Sequence, residues 1–442
     1  MERRYDGSMS DTFVIRGGKP LRGEVEVRGS KNAATKMMVA SLLTDEPCTI
    51  ENIPFSADID ITAELLQSVG SSITWDAPGH RCTICTPEVK NARIPHLSRR
   101  NRIPVLALGP LLHRKGVAEV PVLGGCPIGH RPINFHVEAL RAMGVSVERR
   151  PQSYYAETRS IRGAEISLPY PSVGATENIL LTAVRAHGRT IIKNSAVEPE
   201  VMNLIEMLQD MGAYIVVDFE HRRIEIEGVS KLHGVNARVM PDRSEIVSFA
   251  VVALATEGDI TIQNIDPSYI QTFLKSVFDV GGFYEVKNGG IRFWGHKPFR
   301  QAVVTTSPHP GFMTDWQQPF CVILTQAAGE SIIHETVYED RFGYAVEVNR
   351  MGGEIEVSDE CWGGDRCRFY GAGYRHSAKI KGPSALAGAR IAMTDIRAGM
   401  AHIIAALAAE GESIISGVEH IDRGYEKIDD RLKEVGADIK RI

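Results

Sequence analysis

No long apolar run exists in this chain. The longest stretches, around Ile246–Thr256 and Met400–Ala409, fall far short of the ~20 residues a membrane-spanning helix needs. Nor is there an excess of one charge. With 50 basic and 55 acidic residues and a net charge of -5, general attraction to nucleic acid or an anionic membrane is excluded, so any anion site must be local. The charged start Met1-Glu2-Arg3-Arg4 has no apolar stretch behind it, so no signal peptide is expected; Met9 offers an alternative start. Cysteine is sparse and odd in number: Cys48, Cys82, Cys85, Cys126, Cys321, Cys361 and Cys367. Without a secretion signal, these point to reduced thiols in a cytoplasmic protein. Cys82-Thr83-Ile84-Cys85 is a C-x-x-C that Cys361 with Cys367 could complete as a zinc site. Arg81–Thr86 alternates as a strand, however, which puts Cys82 and Cys85 on opposite faces. The paired spacing of a zinc site is not repeated either, and no metal is expected.

What is present is a folded composition, 43% hydrophobic and 24% charged over 442 residues, enough for two domains. It is also repetitive. Six times a helix-like segment ends in an apolar residue plus Gly and runs into a strand: Val69-Gly70, Met143-Gly144, Met211-Gly212, Val280-Gly281, Met351-Gly352 and Val435-Gly436. Gly at that point supplies a left-handed helix cap. The first half of the unit recurs as well, with Ala33–Leu43, Ala175–His187, Glu245–Glu257 and Ala398–Glu410 each leading into a strand. A unit therefore reads strand, helix, strand, helix, strand, with room for one further strand. Its first helix is apolar enough to be buried, and its second is more amphipathic. Six units suggest two α/β domains of three each. The last interval is long because of Ser358–Ser384, which is expected to be a surface hairpin or loop.

Polar residues gather where the first helices begin: Ser30-Lys31-Asn32, Ser172-Val173-Gly174, Asp242-Arg243, Thr314-Asp315 and Thr394-Asp395-Ile396-Arg397. Helix capping accounts for Ser172 and Thr394. It does not account for Lys31 or Arg397, cations set against the positive end of a helix dipole. Such residues at equivalent repeat positions suggest a bound anion. Val120–Pro132 stands apart as a loop with three glycines and three prolines, holding Cys126 close to His130 and Arg131, a setting suited to a reactive thiol.

These motifs resemble one family. Gly29-Ser30-Lys31-Asn32, Gly124-Gly125-Cys126-Pro127-Ile128-Gly129-His130-Arg131-Pro132, Ser172-Val173-Gly174-Ala175-Thr176, Pro308–Asp315 and Asp395-Ile396-Arg397-Ala398 are similar to the UDP-N-acetylglucosamine 1-carboxyvinyltransferases of the enolpyruvyl transferase family. The likeness runs from about Phe13 to Ile439. It implies a two-domain inverse α/β barrel of six βαβαβ(β) repeats, with the active site in the inter-domain cleft. Residues 31–240 would form one domain, and 1–30 with 241–442 the other. The implied activity is transfer of the enolpyruvyl group of phosphoenolpyruvate to the 3-hydroxyl of the nucleotide sugar, with release of phosphate. That is the first committed step of peptidoglycan synthesis, and a fosfomycin target.

Carried onto this chain, the resemblance makes Lys31, Arg131 and Arg397 a clamp for the multiply charged donor, with Arg102 and Arg341 nearby. Cys126 would protonate the methylene carbon and Asp315 would take the proton from the sugar hydroxyl. Asn32 and Asp315 would contact the sugar. Arg131, Pro132, Ile133, Asn134 and Phe135 would hold the uridine and its phosphates, together with Tyr170, Ser172, Val173 and Gly174. No metal or cofactor is needed, and neither nucleic acid nor membrane is an expected partner. Three features depart from the family: Asn134 where Asp is usual, Ile246-Val247-Ser248 in place of a small-residue run, and the Ser358–Ser384 insertion. They leave open a different uridine acceptor such as UMP, or a catalytically silent nucleotide-sugar sensor. Shikimate-type transferases share fold and donor, but the Gly-Gly-Cys loop argues against them.

Overall fold

The structure, a computed structural model, describes residues 11–99, 101–122, 124, 129 and 132–442. Its organising element is the glycine that ends the second helix of each repeat. Gly70, Gly144, Gly212, Gly281, Gly352 and Gly436 all have positive φ, between 83° and 112°, a conformation that glycine adopts without a Cβ penalty. After each glycine comes a strand: Ser72–Asp76, Ser146–Arg149, Tyr214–Asp218, Phe283–Lys287, Glu354–Ser358 and Asp438–Arg441.

The chain divides into two compact units. One holds the described residues of Met1–Val27, Cys126–His130 and Arg243–Ile442; the other holds those of Arg28–Gly125 and Arg131–Asp242. In the first unit the helices Arg243–Ala255, Gln317–Thr325 and Ile396–Ala408 pack on one another. All of Arg243–Ala255 and all of Gln317–Thr325 are buried. An apolar residue on every side of a helix demands burial on every side. Each large side chain withdrawn from water contributes about 1.5–3 kcal/mol, more than any cap. Three sheets cover these helices, and strands such as Phe13–Arg16, Asp259–Gln263 and Glu412–Ser416 turn alternate residues inward.

The sheet built on Arg243–Ala255 shows the plan of a repeat. Strand Arg22–Glu26 runs parallel to Asp259–Gln263; the chain between them makes the second unit and returns as that helix. Asp259–Gln263 pairs antiparallel with Gly290–Trp294, which pairs antiparallel with Phe283–Lys287. The further strand is therefore real, and the unit is βαβαββ. Strand Phe13–Arg16 supplies it for the last repeat, between Glu412–Ser416 and Asp438–Arg441. In the second unit Asn236–Arg238, from the far end, runs parallel to Cys48–Glu51.

Several local expectations meet the structure here. Cys82 is buried and Cys85 half-buried on strand Arg81–Cys85, as alternation requires. Ile246 and Val247 are fully buried in the core, and Ser248 donates to Ser244 O at 2.7 Å. The Ser358–Ser384 segment is a loop of residues 359–376 between paired strands Glu354–Ser358 and Ser377–Gly382. The second repeat's buried helix, Leu108–Lys115, has no clear signal in the sequence because Gly109 and Pro110 interrupt it. Gly109 is there for close approach: a Cβ would lie 2.2 Å from Thr182 Oγ1 on helix Val173–Ala183. Among the described residues no helix is long and apolar enough to cross a membrane.

Candidate active site

In the first unit, one helix-start residue and one loop residue converge on one carboxylate. Asp315 sits in a single 3-10 turn, Thr314–Trp316, that opens the buried helix Gln317–Thr325. Arg397 Nε donates to Asp315 Oδ2 at 2.9 Å, and Arg341 donates to Oδ1. Both cations are well buried, with side chains 2% exposed for Arg341 and 7% for Arg397, whereas Asp315 retains 18%. Burial alone would lower the pKa of Arg341. The negative charges of Asp315, Asp395 and Glu335 outweigh it and hold that guanidinium above its ordinary value.

Each of these side chains is braced. Asp395, not Thr394, is the cap of helix Ile396–Ala408, its Oδ1 accepting from Arg397 N at 2.8 Å and Ala398 N at 3.1 Å. That carboxylate offsets the unfavourable helix dipole felt by Arg397. Arg397 Nη1 donates to Tyr425 OH at 3.1 Å, and that hydroxyl lies 2.8 Å from Ser248 Oγ. Glu335 is fully buried and accepts from Thr314 Oγ1 at 2.7 Å, Gln317 Nε2 at 3.1 Å, and the amides of Val337 and Tyr338. It thereby fixes the residues on both sides of Asp315. Gln318, with its amide oriented to satisfy both ends, accepts from Arg341 Nε at 2.8 Å. Arg243 lies buried over the Trp316 ring, 5.6 Å from its centre.

The second unit holds the remaining described candidates. Lys31, the first residue of helix Lys31–Ala40, donates to Asp58 Oδ2 at 2.9 Å, with each side chain 12% exposed. The cation that offends its own helix dipole thus faces an acid in the first turn of helix Ala57–Val69. Asn32 follows it, half-buried. Ser172 does cap its helix, accepting from Ala175 N at 3.4 Å. Beyond it Gly174 meets His136, whose ring atoms would lie 3.3 Å from a Cβ there. Burial, and then the charge of Arg102, pushes His136 down to about 3. Arg102, His136 and Ser172–Gly174 therefore form one neighbourhood. Pro132 and Ile133 precede helix Asn134–Ala142, on which Asn134 is exposed and Phe135 half-buried. Phe135 lines an open cavity of about 210 Å³ with Glu165–Pro169, just before Tyr170. Cys126 and Arg131, with Gly125, Pro127, Ile128 and His130, lie outside the described residues.

A buried carboxylate deeper in this unit was not anticipated. Glu177, on helix Val173–Ala183, is fully buried with Lys36 Nζ at 3.6 Å. Burial, opposed by Lys36 and aided by Glu200 and Glu198, pushes it up to about 7. Sequence reasoning gave no role of their own to Asp58, Glu335, Asp395 and Tyr425, which hold the expected residues in place. Only Asp395 had a local signal, as the last polar residue before an apolar helix.

Asp315 is thus gripped by two buried guanidiniums, Arg341 from a loop and Arg397 from the first turn of a buried helix. The model of the EPSP synthase (3-phosphoshikimate 1-carboxyvinyltransferase) family matches residues 15–432; the chain belongs to this family of enolpyruvyl transferases. Among its relatives, the UDP-N-acetylglucosamine 1-carboxyvinyltransferase of Protochlamydia amoebophila (strain UWE25) is 43% identical over 98% of this chain and 94% of that protein. The enzymes of the same name from Chlamydia pneumoniae (44%, covering 95% and 93%) and Zymomonas mobilis subsp. mobilis (40%, covering 98% and 99%) are similar too. Among solved structures, the enolpyruvyl transferase NikO from Streptomyces tendae has a TM-score of 0.85 at 22% identity, covering 98% and 99%. EPSP synthase from Acinetobacter baumannii has a TM-score of 0.69 at 18% identity, covering 98% and 100%. These two likenesses establish the enolpyruvyl transferase fold.

Proposed function

We propose that this protein transfers the enolpyruvyl group of phosphoenolpyruvate to the 3-hydroxyl of UDP-N-acetylglucosamine and releases phosphate, in the cytoplasm, as the entry step to peptidoglycan. The observation that carries this reading to the chemistry is the Asp315 carboxylate held by Arg341 and Arg397, in a chain 40–44% identical to enzymes of that name.

On this reading Lys31, Arg131 and Arg397 hold the donor's phosphate and carboxylate, with Arg102 as a further cation for the acceptor's phosphates. An arriving anion competes with Asp315 for Arg397. Once Arg397 turns to the donor, an oxygen of Asp315 is freed to accept the proton of the sugar hydroxyl, while Arg341 keeps the carboxylate aimed. The hydroxyl oxygen bonds to the central carbon of phosphoenolpyruvate, and the Cys126 thiol delivers a proton to the methylene carbon. The product is a tetrahedral ketal. The new methyl group then returns a proton to the Cys126 thiolate, the carbon–oxygen bond to phosphate breaks, the proton held by Asp315 is released with the phosphate, and the enol ether leaves. Asn32 contacts the sugar. Pro132–Phe135 and Tyr170–Gly174 take the uridine end, where the cavity beside Phe135 and the cap at Ser172 support the assignment.

Phosphate release with phosphoenolpyruvate plus UDP-N-acetylglucosamine, and separately plus UMP, tests it in wild type and Cys126→Ala. Release with the nucleotide sugar alone, lost in the variant, is expected. Release only with UMP keeps the chemistry and moves the acceptor. Nucleotide binding without release makes the protein a sensor.

A further inference from the structure

The long insertion in the fifth repeat brings together four residues that the transfer reaction does not use. His334 ends strand Ala327–His334, and His376 immediately precedes the neighbouring strand Ser377–Gly382. Cys361 and Cys367 come from the loop between them. One ligand atom from each of the four lies within 4.8 Å of all the others, and His334, Cys367 and His376 are buried. A tetrahedral zinc ion with ~2.3 Å bonds to sulfur and ~2.0 Å bonds to nitrogen holds its ligand atoms about 3.3–3.8 Å apart. Small side-chain movements close the difference.

The hydrogen bonds fix which nitrogen of each ring is available. His376 Nδ1 lies 2.6 Å from Tyr374 O, a carbonyl that can only accept, so Nδ1 carries the proton and Nε2 the lone pair. Ser377 Oγ donates to Glu360 O, which leaves its oxygen to accept from His334 Nδ1 at 3.0 Å. Here too Nε2 carries the lone pair, and it lies 4.0 Å from Cys361 Sγ. Among the described residues nothing hydrogen-bonds to the buried His376 Nε2, an omission that is costly unless something else satisfies it. Ligand imidazoles in metal sites are oriented through their second nitrogen in this way. At Gly363 a Cβ would lie 2.9 Å from Cys367 Cβ and 3.1 Å from His334 Nε2, so only a bare backbone lets the loop close over the cluster.

We propose that His334, Cys361, Cys367 and His376 form a structural zinc site that staples the loop of residues 359–376 to its sheet. Two thiolates and two imidazoles in a closed set of four select zinc and leave no position for a substrate. The staple is linked to the surroundings of Asp315 through Glu335. Glu335, next to His334, donates its amide to His376 O at 2.8 Å, and its carboxylate braces Thr314 and Gln317 beside Asp315. A disulfide between Cys361 and Cys367 would leave both imidazole lone pairs facing nothing.

The test is elemental analysis of the untagged full-length protein, purified without chelator. About one zinc per chain is expected, falling close to zero in Cys361→Ser and in His376→Ala but unchanged in Cys85→Ser. Cobalt replacement should give the intense visible bands of a tetrahedral S₂N₂ site. Removing zinc from the wild type with a chromophoric chelator should lower the melting temperature and expose the loop to protease, which reads the site even if a variant fails to fold. Three results would overturn the proposal: wild-type protein that takes up neither zinc nor cobalt with its thiols free, zinc retained in both variants, or a mass two hydrogens lighter that shows a Cys361–Cys367 disulfide.

Discussion

Arg397 Nε lies 2.9 Å from Asp315 Oδ2, so the cation assigned to the donor is also the partner of the carboxylate assigned as base. The pair joins two repeats, since each residue stands at the head of a different buried helix. Asp315→Asn keeps the size of the side chain but not its basicity. Phosphate release is expected to fall about 10²–10⁴-fold with the fold retained. Both this variant and Asp315→Ala leave the Arg341 guanidinium, 2% exposed, without its nearest carboxylate; the alanine, which keeps no oxygen to accept from it, should cost the more, about 3–5 kcal/mol by urea unfolding. A variant with wild-type turnover would remove Asp315 from the chemistry.

Tyr425 holds Arg397 from the other side, its hydroxyl accepting from Nη1 at 3.1 Å and meeting Ser248 Oγ at 2.8 Å. Tyr425→Phe should lower kcat/KM for phosphoenolpyruvate about tenfold, from the loss of one hydrogen bond to a charged group. The effect should lie in the donor's KM more than in the acceptor's. Equal changes in both would point to a general loss of packing.

Glu177 makes stability depend on pH. Its folded pKa, raised to about 7 from an ordinary 4.5, means that the folded state holds a proton the unfolded chain has released. Stability is therefore intact below pH ~4.5, declines as pH rises towards 7, and has lost up to about 3 kcal/mol above it. Glu177→Gln should flatten this slope, so that the variant gains on the wild type between pH 5 and 8 in denaturant titrations. A constant difference across that range would contradict the assignment.

Two glycines test the repeat from different directions. Gly436 has φ 97° with nothing within 4 Å of a built Cβ, so Gly436→Ala should cost only about 1 kcal/mol of backbone strain, and Gly436→Asn less. Gly109→Ala must move Thr182, its Cβ falling 2.2 Å from Oγ1 and 3.0 Å from Cα. Overpacking of that kind costs about 1–3 kcal/mol. Thermal unfolding should rank the three variants Gly436→Asn, Gly436→Ala, Gly109→Ala from least to most destabilised.

The repeat could be read in the chain because its signal is local: one glycine after an apolar residue, six times, each with positive φ. Lys31 and Arg397 stood out because they oppose their own helix dipoles. Their partners Asp58 and Asp315 lie far along the chain, a pairing that no spacing rule encodes. His334 and His376 escaped for the same reason. They meet Cys361 and Cys367 only because two strands pair with His334 opposite Ser377. Residues that brace rather than react, such as Glu335 and Tyr425, have ordinary surroundings in the sequence and show their role only through hydrogen bonds.

The central claim is that the carbon skeleton of phosphoenolpyruvate moves and its phosphate is left behind. Phosphoenolpyruvate labelled with ¹⁸O in the bridging position tests this directly in the presence of UDP-N-acetylglucosamine. Carboxyvinyl transfer breaks the carbon–oxygen bond, so the account predicts ¹⁸O in the released phosphate and an enol ether on the sugar. Label recovered in pyruvate would mean cleavage at phosphorus, and would contradict it.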